Sequence, residues 1–336
     1  MIYNMEQSCK IGDATFDYIL SAKTRHSRNE PGGKLTITLP TKELKKHNVK
    51  PFDEVTWSAG YAETGLNTEF FGFVKEVTPG EKESTIEVRD AFWLCSRHRV
   101  RVNYLDIIRM WDELIEPLIP GGYGLSWDVR LATVQLYRFR NIYNKTGTFV
   151  LWVLKTSRNL DLRWDGKVLV IQPAFDARTL EGDLPEFKFG YNIVEDKLKL
   201  KAGKKLQIKV RGEDQSYMDR RGSGTFGRVI EGVYPARCPD CEELIVDVDS
   251  VSSTSDAVDQ AKAIHTEKAG WGFTGSFIAL GAPSARVADS IQITDPDNPE
   301  RTIKTYVDTI EKNYDYQSAT FRQEIWPGAF MEEPRA

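Results

Sequence analysis

A chain of 336 residues with 40% hydrophobic and 28% charged residues carries apolar material for about two or three ordinary cores, which excludes disorder, collagen-like repeats and a coiled coil. Its net charge of −4 offers no global field for phosphates and disfavours a role built on nucleic-acid affinity. No apolar run approaches the roughly 18 residues that cross a bilayer, and the start MIYNMEQSCKIGD lacks an export signal, so the expectation is assembly in a cytoplasm without membrane insertion.

Along the chain, Leu35, Ile37 and Leu39 alternate with Thr36 and Thr38, a period-two strand that ends at Pro40. A short turn-helix, TKELKKHN, leads into the strands EVTWSAGY, NTEFFGFVKEV and STIEVRDAFWL, with Pro79-Gly80 turning between the last two. Residues 1–95 read as a small antiparallel β-barrel. From Tyr104 to Leu118 the period changes: Ile107, Ile108, Trp111, Leu114, Ile115 and Leu118 form one helical stripe, ended by Pro117 and Pro120. A second helix is predicted from about Thr148 to Ser157. Leu160, Leu162 and Trp164 then alternate toward Asp165-Gly166, a tight hairpin from which Val168 and Val170 return. Residues 96–185 therefore read as an α/β insert, closed by TLEGDLPE.

The segment KLKLKAGKKLQIKVR reads as an amphipathic hairpin. Leu198 and Leu200 enter an Ala-Gly turn, Leu206, Ile208 and Val210 leave it, and the lysines share the opposite face. VDSVSSTSD caps a helix carrying Ala257, Val258, Ala261 and Ile264, with Gly270 as its stop. Residues 186–336 are the second barrel, with this helix inserted around 255–269. The fold class is mainly β: two small antiparallel barrels related by a pseudo-repeat, plus an α/β domain. The repeat is visible as VKPFDEVTW at 49–57 against ARVADSIQI at 285–293, which aligns Asp53 with Asp289, Val55 with Ile291 and Trp57 with Ile293. Downstream, Val74 and Val77 match Val307 and Ile310, followed by STIEVRD and ATFRQEI.

Chemistry-bearing patterns are sparse. Cys9, Cys95, Cys238 and Cys241 are too scattered for a disulfide framework and read as reduced thiols; the Cys238–Cys241 pair has no second pair or nearby histidine to complete a zinc site and reads as a loop thiol pair, the alternatives being a zinc shared between subunits and a redox pair. GSGTFG at Gly222–Gly227 lacks the strand and helix that a dinucleotide loop needs and reads as a loop or hairpin tip, whose Arg220, Arg221 and Arg228 could touch a partner. Asp295, Asp297 and Asn298 read as a turn rather than a calcium loop. His26, His47, His98 and His265 form no nucleophile–base motif, and Glu242 and Glu243 read as a solvated turn. No catalytic residue, cofactor or metal site is assigned. Lys197, Lys199, Lys201, Lys204 and Lys205 form either a wet sheet face or a contact to an acidic subunit. Trp326 and Phe330 either cap the second barrel or anchor the next component.

The order of these parts resembles the hub proteins of bacteriophage tails and baseplates, among them the late control protein D of contractile tails and the hub half of type VI secretion spikes. Their run of Pro-Gly-Asp, strand, Phe-x-Gly and x-Val is matched by PFDEVTW and FFGFVKEV, then by Asp90. FGYNIVEDKL at 189–198 resembles the strand opening the second barrel, and GFTGSFIALGAPSARVADSIQITDPDNPERTIKTYVDTIEKNY the closing segment, ending near FRQEIWPG. Phe52 and Ala288 depart from the pattern, standing where the family has glycine before the Asp, so those turns are expected to be made differently. The resemblance implies a non-enzymatic virion structural protein, a homotrimer whose two barrels per chain give a pseudo-sixfold ring. It would join a hexameric tail tube or distal tail protein to a threefold spike, fibre or tip protein and meet the tape measure. The ring would form part of a channel that passes the genome without specific binding, after assembly in a bacterial host cytoplasm. The alternatives are a tail-associated cell-wall hydrolase and an OB-like nucleic-acid- or oligosaccharide-binding protein.

Overall fold

The computed structural model describes residues 4–97, 99–102, 123–129, 142–158, 160–174, 183–213, 229–248, 251, 253–270 and 272–330. The expected helix at Tyr104–Leu118, the GSGTFG loop with its arginines and His98 lie outside the described residues. Among the described residues no helix is long and apolar enough to cross a membrane.

The first third folds as β1 (Met5–Ile11), β2 (Ala14–Phe16), β3 (Ser21–Ser27), β4 (Lys34–Pro40), α1 (Thr41–Leu44), β5 (Glu54–Tyr61), β6 (Gly65–Thr78), β7 (Glu83–Arg89) and α2 (Ala91–Ser96). The period-two pattern of β4 puts Leu35, Ile37 and Leu39 in the core with no exposure. They meet Val55 and Trp57 of β5, Val74 of β6, Ile86 and Val88 of β7, and Tyr314 and Phe321 from the far end of the chain. Burying side chains of this size is worth about 1.5–3 kcal/mol each.

Next come β8 (Arg99–Val102), β9 (Ser126–Val129), β10 (Ile142–Thr146), α3 (Gly147–Arg158), β11 (Leu160–Asp165) and β12 (Val168–Pro173). α3 covers the predicted helix, and β11 and β12 form the predicted hairpin, turning at Gly166 with φ 58°. Val150, Leu151, Leu160, Leu169 and Ile171 pack with Phe73, Phe92, Leu94 and Cys95, so this core is continuous with β6 and α2.

The remainder contains β13 (Glu186–Lys188), β14 (Ile193–Asp196), β15 (Lys199–Lys201), β16 (Leu206–Glu213), β17 (Val229–Tyr234), β18 (Glu242–Asp247), α4 (Thr254–Ala269), β19 (Gly272–Thr274), β20 (Phe277–Leu280), β21 (Ser290–Thr294), β22 (Ile303–Asp315) and β23 (Thr320–Phe330). Ser253 caps α4 by accepting the Asp256 amide at 3.1 Å, and Gly270 follows its end, as the sequence suggests; such a cap is worth about 1 kcal/mol.

Two expectations need correction. The chain is mainly β, but the barrels are not closed. The strand order β14-β20-β23-β22-β3-β4-β7-β6-β5-β1-β2 is one open path, because β22 hydrogen-bonds across to β3, from Thr309↔Ser27 to Asp315↔Ser21. Nor do residues 197–211 form a hairpin: β15 pairs with β19, while β16 pairs antiparallel with β17 and parallel with β18. The alternating apolar residues serve different cores. Leu198 packs near Phe187 and Phe277, whereas Leu206, Ile208 and Val210 sit under Ala257 and Ala261 of α4. Gly232 of β17 permits that approach, since a Cβ there would stand 2.6 Å from the Ala257 Cβ.

Candidate functional site

The repeat seen in the sequence is a repeat of hydrogen bonds. Before β5, the Phe52 amide donates to the Val74 carbonyl at 2.8 Å, the Val74 amide to the Asp53 carbonyl at 2.9 Å, and the Lys50 amide to Asp53 Oδ2 at 2.9 Å. Before β21, Ala288 donates to Val307 at 2.9 Å, Val307 to Asp289 at 2.9 Å, and the Arg286 amide to Asp289 Oδ2 at 2.9 Å. The turns are not made differently, as the missing glycines suggested. Phe52 has φ 76° and Ala288 φ 66°, the left-handed region glycine would take, at a cost of roughly 1–2 kcal/mol each. Phe52 is held by stacking on Trp93 at 5.2 Å and by the Arg97 guanidinium 5.0 Å from its ring centroid. Ala288 is buried against Ala174 and Tyr306.

Register extends the match: Phe73 lies opposite Glu54, and Tyr306 opposite Ser290. Phe73 packs into the α/β core, while the Tyr306 hydroxyl donates to Asp161 Oδ2 in β11. Arg28, just past β3, donates Nε to Asp161 Oδ1 and lies 3.6 Å from Asp308; Lys155 of α3 donates to the Arg28 carbonyl. Burial works against the Arg28 charge, and the field and hydrogen bond of Asp161 outweigh it, so its pKa is raised. Burial lowers Lys155 to about 8 and raises Asp308. Burial, reinforced by Asp161, also raises Tyr306.

The β11–β12 hairpin reaches both turns. Arg163 donates to Asp289 Oδ1 at 2.8 Å and to the Val287 carbonyl at 2.9 Å. Arg286 pairs with Asp165, and Lys167 reaches Glu54 at 2.8 Å. This is an architectural junction: cations from one layer neutralise acids beside both copies of the turn.

Among the described residues, two further clusters resemble reactive or ligating sites. Ser284 donates to Glu69 Oε2 at 3.0 Å and accepts from Lys312 Nζ at 2.7 Å, the spacing of a serine–lysine pair. Lys312 is at the same time held in an ion pair with Glu69. Asp295 Oδ1 accepts the Asp297 and Asn298 amides at 3.1 and 3.0 Å, and Oδ2 meets Arg301 at 3.2 Å, which makes the predicted turn. Among the described residues no group of three or more metal-ligating side chains gathers. The expectation of four reduced thiols is corrected: Cys238 and Cys241 are joined in a disulfide, their Cα atoms 5.3 Å apart in the turn before β18, while Cys9 and Cys95 are free and buried.

The predicted contact lysines lie in and around β15. Lys197 pairs with Glu195 at 3.2 Å, Lys199 and Lys201 are on β15, and Lys204 and Lys205 lie in the connection to β16. Trp326 and Phe330 are on β23, with Trp326 half-buried opposite Thr309. The two groups converge, because Lys201 pairs with Gly272 and Gly272 with Ala329, the neighbour of Phe330. Sequence reasoning missed Arg28, Lys155, Asp161 and Asp308. Asp161 sits between Leu160 and Leu162, whose alternation points it to solvent, yet it is 2% exposed.

No family model matches the sequence, and no curated protein matches it. Solved structures share its fold over nearly the whole chain. The tail protein from Neisseria meningitidis is 10% identical, with TM-score 0.70 over 99% of both chains. A prophage tail protein from Shewanella oneidensis is 14% identical, with TM-score 0.64 over 98% of this chain and all of that one. An E. coli component of the type VI secretion system, described as structurally similar to bacteriophage tail proteins, is 10% identical, with TM-score 0.57 over 99% of this chain and 79% of its own.

Proposed function

We propose that the chain is a structural, non-enzymatic hub at the distal end of a phage tail or of a related injection machine, acting as a ring-forming adaptor. The observation that carries this reading is the duplicated turn, Phe52-Asp53 and Ala288-Asp289, with matching hydrogen bonds at both copies. Two equivalent units per chain let a threefold assembly present six similar positions. A homotrimer can therefore match a hexameric tube or distal tail protein on one side and a threefold spike, fibre or tip on the other. The tape measure and the passing genome would occupy the channel, with no specific nucleic-acid contact. The tail-protein fold of the solved relatives supports a tail-tip or baseplate location, with assembly in a bacterial host.

Negative-stain microscopy of the purified protein tests this reading. Rings with threefold symmetry and six similar outer masses are expected; single compact particles without rotational symmetry would refute it.

A further inference from the structure

The sheet path ends at β14; among the described residues no strand but β20 pairs with β14 and no strand but β19 with β15, and only Ile193, at the start of β14, has a further bridge, to Phe189. The two strands follow one another along β20 and β19, so residues 193–201 form one edge. The β14–β20 ladder shifts register between Ile193 and Glu195, and farther along the edge Gly275, with φ 93°, lets the backbone approach the Lys197 carbonyl. Large apolar side chains stand in solvent on or beside this edge: Tyr191 is 72% exposed, Val194 56% and Leu200 45%.

The charge on this edge has one sign once internal pairs are removed. Glu195 is taken by Lys197 at 3.2 Å and Asp196 by Arg301 at 2.6 Å. Lys199, Lys201, Lys204 and Lys205 make no ion pair among the described residues. An open backbone edge is a template for another strand, and lysines along it repel a second copy of the same edge.

We infer that residues 193–201, with the lysines that follow, take up an extended acidic segment of a neighbouring protein by strand addition. The backbone of the edge supplies the ladder, Val194 and Leu200 supply apolar contacts to alternate side chains, and the four lysines supply the attraction and select acidic partners. This rests on the adaptor reading only for the identity of the neighbour as a component of the same assembly.

Hydrogen exchange on the full chain tests it with three octapeptides as probes: alternating Glu and Thr, alternating Lys and Thr, and alternating Glu and Pro. The last keeps the charge but lacks half of the backbone donors. Slowed exchange across residues 193–201 is expected with the Glu/Thr peptide alone. That protection should be lost in a Lys199→Glu, Lys201→Glu double variant, whose folding is verified by unchanged exchange in β22. Equal protection by the Glu/Pro peptide would reduce the site to charge attraction and overturn the inference, as would no protection by any peptide. If the double variant instead loses self-association while no peptide protects, the edge is a contact between copies. The inference then falls and the adaptor reading stands.

Discussion

Asp289 accepts the Arg286 amide as Asp53 accepts the Lys50 amide, both at 2.9 Å, but only Asp289 also receives the Arg163 guanidinium. The two turns share one backbone design and differ in their load. Asp53→Ala removes one turn bond at a half-buried position and should cost about 1 kcal/mol. Asp289→Ala also strips a partner from a largely buried arginine and should cost roughly 2–3 kcal/mol. Urea denaturation of both variants measures the difference, and equal losses would mean that Arg163 contributes nothing.

A β-branched residue should be poorly tolerated at Ala288, where a buried side chain meets positive φ. Ala288→Val is expected to lower stability by about 2–4 kcal/mol from strain and overpacking together. A thermal melt indistinguishable from that of the parent would remove the claim that the turn constrains this position.

At the junction, Tyr306→Phe leaves one Asp161 oxygen without its hydroxyl donor and should cost about 1–3 kcal/mol. Asp161→Ala leaves Arg28 without its closest carboxylate and should cost about 3–5 kcal/mol. The double variant should lose less than the two losses added, since both substitutions break one network. Additive losses would show that Tyr306 and Asp161 act independently.

Two buried groups oppose each other in mild acid. Burial raises Asp90 to about 7, although it accepts the Gly33 and Phe92 amides. With its folded value above the unfolded 3.8, its contribution is fully present below pH 3.8 and is lost as pH rises through 7. Burial, with Lys312 and Arg286, lowers His26 to about 4. Its contribution is present above pH 6.5 and is lost as pH falls through 4. Between these limits the slopes have opposite sign. In that window His26→Gln should grow more stable on acidification and Asp90→Asn less stable. Denaturant midpoints across that range decide it, and parallel profiles for the two variants would contradict both assignments.

Iodoacetamide should label no cysteine of the native, unreduced protein. Burial pushes the Cys9 and Cys95 thiols up to about 12, and Cys238 and Cys241 are bonded to one another. Mild reduction should open Cys238 and Cys241 alone to labelling, and native labelling of either without reductant would disprove the bond.

The legible parts of the sequence were the local ones. Leu35, Ile37 and Leu39 report their buried face by period, and Ser253 with Gly270 brackets a helix. The Asp53/Asp289 echo survives because backbone turns reuse short sequence. The pairing of β22 with β3 was not legible, because a contact between Thr309 and Ser27 leaves no local signature and alternation does not say which core a strand serves. The buried charges were hidden for a related reason: Asp161 looks outward in its own strand and is covered by Arg28 and Tyr306 from distant segments.

The central claim is that two equivalent units per chain close into a threefold ring. Light scattering of the purified protein across a concentration series tests it most directly. The account expects a stable mass of three times the 38.2 kDa chain, and a mass of one chain throughout the series would contradict it.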